Sequence, residues 1–192
     1  FATVMVDKSG WEFLGHSVFV GLLVALLGTL CAFLCAYLTA RIKSPGAVVL
    51  HLMSITSLAI PGIVLGLSYV LFFRSTPIYG TFAILILVNI IHFFASPYLM
   101  VYNSMGKLTP DLEAVGATLG IGKVRLLCDV IAPQVKETLL ESFSYFFVNS
   151  MMTISAVSFL ARRSTQLFAL MLPGFDASQT SLVPPAIVAL II

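Results

Sequence analysis

His16-Ser-Val-Phe-Val-Gly-Leu-Leu-Val-Ala-Leu-Leu-Gly-Thr-Leu-Cys-Ala-Phe-Leu-Cys-Ala-Tyr-Leu-Thr-Ala40 carries no formal charge and closes on Arg41 and Lys43. A helix rises 1.5 Å per residue, so about 20 apolar residues cross the ~30 Å hydrocarbon core of a bilayer. This stretch is long enough to do so. Similar runs follow at about 47–73, closed by Arg74, and at about 79–102, followed by Lys107. Another, at about 139–160, lies between Lys136, Glu137 and Glu141 on one side and Arg162 and Arg163 on the other. A fifth opens near Val183 and is cut off at Ile192. Lipid offers the backbone no hydrogen-bond partner, so runs of this length read as helices; barrel strands are shorter and alternate. The expected fold is all-α and polytopic transmembrane, one domain over 1–192.

Composition agrees. Of 192 residues, 59% are hydrophobic and 9% charged, against about 25% charged in an average soluble domain. The surface is therefore one for a lipid bilayer. The net charge of +2 and the scattered basic residues exclude a nucleic-acid partner. Cys31 and Cys35 sit one helical turn apart and Cys128 stands alone, which reads as packing, with neither a disulfide framework nor a metal site. The chain opens on Phe1 and stops inside an apolar stretch, and we read it as a piece of a longer sequence. It shows no basic n-region or small-residue cleavage site of a signal peptide.

Alternation of the runs places Arg41, Lys43, Lys107, Lys123, Arg125 and Lys136 on one side and Lys8, Arg74, Arg162 and Arg163 on the other. The richer side is expected to face the cytoplasm. On that side lies the one long hydrophilic insertion, 105–137. Thr109 suits a helix cap, Pro110 the first helical position, and Asp111 and Glu113 the positive helix end. Leu112, Val115 and Leu119 fall on one face by 3.6-residue spacing. Gly120 and Gly122 stop this helix, Lys123–Val130 forms a second short one, and Pro133 opens the next span. The result is a helix–turn–helix whose apolar face needs a partner.

The stretch Asp111-Leu-Glu-Ala-Val-Gly-Ala-Thr-Leu-Gly120, continued by Ile-Gly-Lys-Val-Arg-Leu-Leu-Cys-Asp-Val-Ile-Ala-Pro133, resembles the EAA coupling loop of type I ABC importers. That pattern is roughly D-L-E-E-A-A-x-x-L-G, with a proline thirteen residues after the glycine, and Gly120 and Pro133 keep this spacing. In this register the E-A-A triplet reads Ala114-Val115-Gly116, with Glu113 one place earlier, and Ala132 replaces the usual leucine. Ala59-Ile-Pro-Gly-Ile-Val-Leu-Gly66 resembles a segment of permeases for iron(III), 2-aminoethylphosphonate and polyamines. Met152-Thr-Ile-Ser-Ala-Val-Ser-Phe-Leu160 resembles one in the iron and phosphonate branch. The resemblance implies the MetI-like permease fold of a multi-pass protein in a prokaryotic cytoplasmic membrane. It further implies a cytosolic ATPase dimer carrying the ATP and Mg, a second permease half (identical, different or fused), and an extracytoplasmic solute-binding protein. The coupling residues would be Asp111, Leu112, Glu113, Ala114, Val115, Gly116, Leu119, Gly120 and Pro133. No cofactor is expected on this chain and no chemistry on the solute.

Gly116–Val124 superficially resembles a phosphate loop but has Ala117 and Val124 where glycine and Ser or Thr are needed, so ATP is expected on a partner. Gly62 and Gly66 form a G-x-x-x-G step after Pro61, read as tight packing or a hinge. Polar residues inside the runs include His51, Ser54 and Ser57; Asn89, His92 and Ser96; and Tyr145, Asn149 and Thr153. Each alone reads as an interhelical hydrogen-bonding group. Together they suggest a polar seam, and Ser57, Pro61, Asn89, His92, Tyr145, Asn149 and Thr153 are the candidate translocation residues. His16, His51 and His92 form no H-E-x-x-H arrangement, and no nucleophile elbow is present, which argues against catalysis. The alternatives are a secondary transporter or channel without an ATPase, or a non-transporting scaffold. The first predicts charges within the runs and no use for 105–137; the second leaves the polar seam idle.

Overall fold

The computed structural model describes residues 8–42, 44–162, 165 and 167–170, with side chains from residue 12 onward. Among the described residues the regular structure is helical throughout. Helix α1 (Lys8–Arg41) has 34 residues and so runs about 51 Å, beyond the expected 16–40 at its start. It is the centre of the bundle. Against it pack α4 (Phe82–Phe93), α5 (Ala95–Gly106) and α9 (Lys136–Met152). Small residues make the closest of these approaches possible. Ala25, Ala32 and Ala36 are fully buried, and a methyl group added at Gly28 would stand 2.9 Å from the ring of Phe146 on α9. At Gly21 the corresponding distance, to Phe147, is 3.2 Å. Phe146 is itself fully buried, so the aromatic side chains of α9 lie in a trough that α1 leaves open.

The second and third runs are not continuous helices. The second divides into α2 (Pro45–Ile55), a 3₁₀ turn (Thr56–Ala59) and α3 (Gly62–Phe73), with a 109° bend between the two arms. Proline explains the break: it disfavours the helical conformation in the residue before it, and Ile60 is extended (φ −102°, ψ 114°). The third divides into α4 and α5 with a 55° bend. Pro97, in the first turn of α5, has no N–H to offer a carbonyl in the preceding turn. The Ala95 N–H donates to the hydroxyl of Ser57 at 3.2 Å, so one break is stitched to the other.

The fourth run is corrected too. Helix α9 ends at Met152; Thr153 is extended (φ −70°, ψ 132°), and 153–160 winds in turns. This irregular stretch is packed inside the protein: Ala156, Val157 and Leu160 are fully buried, as non-helical backbone at membrane depth requires. Among the described residues one helix, α1, is long and apolar enough to cross a membrane, and up to three spans result if each bent pair counts as one. The fifth expected run, 183–192, lies outside the described residues.

Candidate functional site

The 105–137 segment leaves the bundle at the end of α5 and returns through α9. Its first helix, α6, spans Leu112–Thr118, so it begins two residues later than the expected start at Pro110. Asp111 occupies the cap position without a side-chain cap bond, and the Val115 N–H donates to the Asp111 carbonyl. The carbonyls of Leu108, Thr109 and Pro110 are engaged elsewhere, as described below.

The stop at Gly120 is as the sequence suggests. Gly120 has φ +69°, a conformation open to glycine at little cost. Its N–H donates to the Ala117 carbonyl at 3.1 Å, and the Ile121 N–H donates to the Gly116 carbonyl at 2.9 Å. These two bonds make the Schellman closure, which satisfies carbonyls that the helix end would leave bare. Helix α7 (Lys123–Leu126) follows, then a π turn (Leu127–Ile131) and a short α8 (Ala132–Gln134) holding Pro133. The wider turn precedes a proline that has no N–H for the carbonyl four residues back.

The faces of α6 differ from expectation. Gly116 is buried on the inner side, where an added methyl would meet Leu126 at 3.2 Å. Leu112 and Glu113 are half-buried, whereas Asp111, Ala114 and Gly120 are exposed. The exposed apolar side chains are Val115 at 53%, Leu119 at 69% and, from α7, Val124 at 76%. Thus Leu112 is turned to the core while Val115 and Leu119 stay exposed, and Val124 of α7 is exposed as well. Pro133 is exposed below.

Glu113 is held by Arg41, a residue that sequence reading uses to close the first run and to orient the chain in the membrane. The Arg41 guanidinium donates from Nε to Glu113 Oε1 at 2.8 Å and from Nη2 to Oε2 at 2.6 Å. Nη2 also donates to the Thr109 carbonyl at 2.8 Å, with longer contacts from Nη2 to Pro110 and from Nη1 to Leu108, both at 3.4 Å. The fork–fork geometry is the strong form of this ion pair. The hydrogen bonds from Arg41 hold the Glu113 carboxyl below its ordinary range, against the opposing effect of partial burial. A second pair, Arg125–Asp129, spans one helical turn in open solvent at 3.3 Å and contributes little.

The translocation candidates fall into three groups. Ser57 and Pro61 shape the helix breaks, the first by accepting the Ala95 N–H and the second as the cap residue of α3. Asn89 and His92 lie on α4, and a methyl at Gly62 would stand 3.0 Å from the His92 ring and 2.5 Å from Ser155 Oγ. Gly62, His92 and Ser155 therefore converge where α3, α4 and the 153–160 stretch meet. Among the described residues Asn89 Oδ1 and His92 Nδ1 are buried without a hydrogen-bond partner. Tyr145 and Asn149 bond along their own helix (Asn149 Nδ2 to the Tyr145 carbonyl, 2.8 Å), and Thr153 is buried at its end. The G-x-x-x-G step packs tightly: a methyl at Gly66 would lie 2.6 Å from the Ala156 carbonyl oxygen. A cleft of about 400 Å³ beside Ser54, Thr56 and Ser57 opens at the α2 break.

Three contributors went unseen in the sequence: Ser155, Thr39 and Tyr98. The Tyr98 hydroxyl, fully buried, lies 2.8 Å from Thr39 Oγ1 and 2.6 Å from His51 Nδ1, joining α1, α2 and α5. The only local signal was a polar residue in an apolar run; nothing in the spacing pairs them. Among the described residues, no group of three His, Cys, Asp or Glu side chains is placed to hold a metal ion.

The sequence is similar to two bacterial proteins. One is the "Putative ferric transport system permease protein FbpB 1" of Haemophilus influenzae, 29% identical over 125 residues, covering 64% of this chain and 20% of that protein. The other is the ferric transport system permease protein FbpB of Actinobacillus pleuropneumoniae, 27% identical over 124 residues, covering 64% of this chain and 18% of that one. The matched region is thus about a fifth of either relative's length. The profile of the binding-protein-dependent transport system inner membrane component family matches residues 9–192. Nearly the whole chain is included, with its helical bundle and the 105–137 segment, and the chain belongs to that family, the MetI-like permeases of type I ABC importers.

Proposed function

We propose that the chain is the membrane-embedded permease part of an ATP-driven importer and that the 105–137 segment couples it to a cytosolic ATPase dimer. One observation carries the reading. A short helix closed by Gly120 projects from the bundle with Val115, Leu119 and Val124 bare. Three large apolar side chains left exposed on a short segment outside the apolar runs favour an interaction surface over a solvated one. Glu113, Gly116 and Leu112 support this surface from behind, and Asp111, Ala114 and Gly120 border it. ATP and Mg belong to the ATPase, as does the hydrolysis. The richer share of basic residues at this end makes it the cytoplasmic side of a prokaryotic inner membrane.

The solute would pass beside the helix breaks, where Gly62, His92 and Ser155 gather. Half-helices broken near the bilayer midplane are common at transporter binding sites. The cargo we favour is iron(III), because both relatives are named as ferric permeases; 2-aminoethylphosphonate and polyamines are the other solutes to compare. Delivery would fall to an extracytoplasmic binding protein, and a second permease half would complete the path.

The test of coupling is co-purification. Val115→Asp and Leu119→Asp together should abolish capture of the cognate ATPase while the permease still reaches the membrane. Undiminished capture would sink the docking surface. Uptake by proteoliposomes offered iron(III), 2-aminoethylphosphonate or spermidine through the cognate binding protein decides the cargo.

A further inference from the structure

We propose that Arg41 is a positioning residue for coupling: its guanidinium fastens the docking helix to α1, so that a push on α6 moves the longest helix of the bundle. The inference rests on the docking reading above and adds the route by which motion enters the membrane.

Helix α6 has seven residues, too few to be stable alone. Its contact through Gly116 is with Leu126 of α7, which is itself buried in the core. Leu112 and Ile121 rest against the core, but apolar contact has no preferred direction and permits sliding. The directional tie is Arg41. It ends α1 and holds both oxygens of Glu113 inside α6, together with the Thr109 carbonyl just before it. Its side chain is 8% exposed and that of Glu113 31%, so the pair is sheltered from screening on the arginine side. A planar fork fixes angle as well as distance, which a lysine ammonium does not. Because α1 packs on α2, α4, α5 and α9, displacement of its end is shared by the bundle. Glu113 is thereby turned inward, and the ATPase is left to meet Val115, Leu119 and Val124.

The test uses the full-length permease assembled with its ATPase, second half and binding protein in proteoliposomes. In Arg41→Gln, capture of the ATPase should persist while solute transported per ATP hydrolysed falls about tenfold, within the 5–150-fold range of coupling effects. Arg41→Lys should keep an intermediate ratio, and Glu113→Gln should fall with Arg41→Gln. An independent measurement needs no ATPase. With Cys31, Cys35 and Cys128 replaced, spin labels at exposed Leu38 and Ala117 should give a narrow distance distribution that broadens in Arg41→Gln. An unchanged transport ratio with an unchanged distribution overturns the proposal. Loss of ATPase capture in Arg41→Gln overturns it as well, since Arg41 would then serve docking itself. The docking reading fails separately, on Val115→Asp and Leu119→Asp.

Discussion

Replacing Gly66 with alanine should destabilise the bundle far more than the same change at Gly15, although both glycines lie inside helices. At Gly15 an added methyl meets nothing within 4 Å, and the change gains about 1 kcal/mol of helix propensity. At Gly66 the methyl would stand 2.6 Å from the Ala156 carbonyl oxygen. That neighbour is backbone in a buried stretch and cannot rotate away, so α3 or 153–160 must shift. Overpacking of this kind costs about 1–3 kcal/mol, and rigid backbone puts Gly66 at the upper end. The propensity gain cancels between the two variants, leaving a difference of about 3 kcal/mol. At roughly 2–4 °C per kcal/mol for a chain of this size, the melting temperatures should differ by about 6–12 °C. Thermal unfolding of the purified protein in detergent, followed by the loss of monodisperse material, measures it. Gly28→Ala, against the buried Phe146 ring at 2.9 Å, should fall between. Equal melting of the Gly66 and Gly15 variants would refute the close approach of α3 to the 153–160 stretch.

Other outcomes follow from single contacts. Ser57→Ala leaves the Ala95 N–H without its acceptor at the α4–α5 break and should cost about 1–3 kcal/mol in the same assay. Tyr98→Phe removes the hydroxyl shared by Thr39 and His51; a loss of similar size is expected, and a Thr39→Val, Tyr98→Phe double variant should lose less than the sum. The Glu113 carboxyl sits below its ordinary value of 4.5 because of Arg41, so its contribution is full above pH 4.5 and fades as pH falls through the lowered value. Protection of the 108–118 amides, measured against their intrinsic exchange rates at each pH, should therefore fall on acidification, and Glu113→Gln should show reduced protection already at neutral pH.

The sequence by itself determined the class. Runs of apolar residues as long as His16–Ala40 must satisfy their own backbone in lipid, and only helices do so within one segment. It also determined the stop at Gly120, because a helix closure at positive φ is a local demand that glycine meets. Pro61 announced one break in the same local way, and Pro97 carried an equal signal for the other that hydropathy concealed. What the tertiary structure alone decided is which side of each helix is covered. Periodicity placed Leu112, Val115 and Leu119 together, yet Leu112 turns to the core while Val115 and Leu119 stay exposed. Beyond the end of α9 at Met152, the 153–160 stretch lies against Gly62 and Gly66, a contact between residues about ninety apart in sequence. Arg41 and Glu113 are 72 positions apart, and no spacing rule links them. A charge that reads as the closing mark of a span becomes the fastening of α6 only when folding brings the two ends together, since an ion pair depends on distance in space and not along the chain.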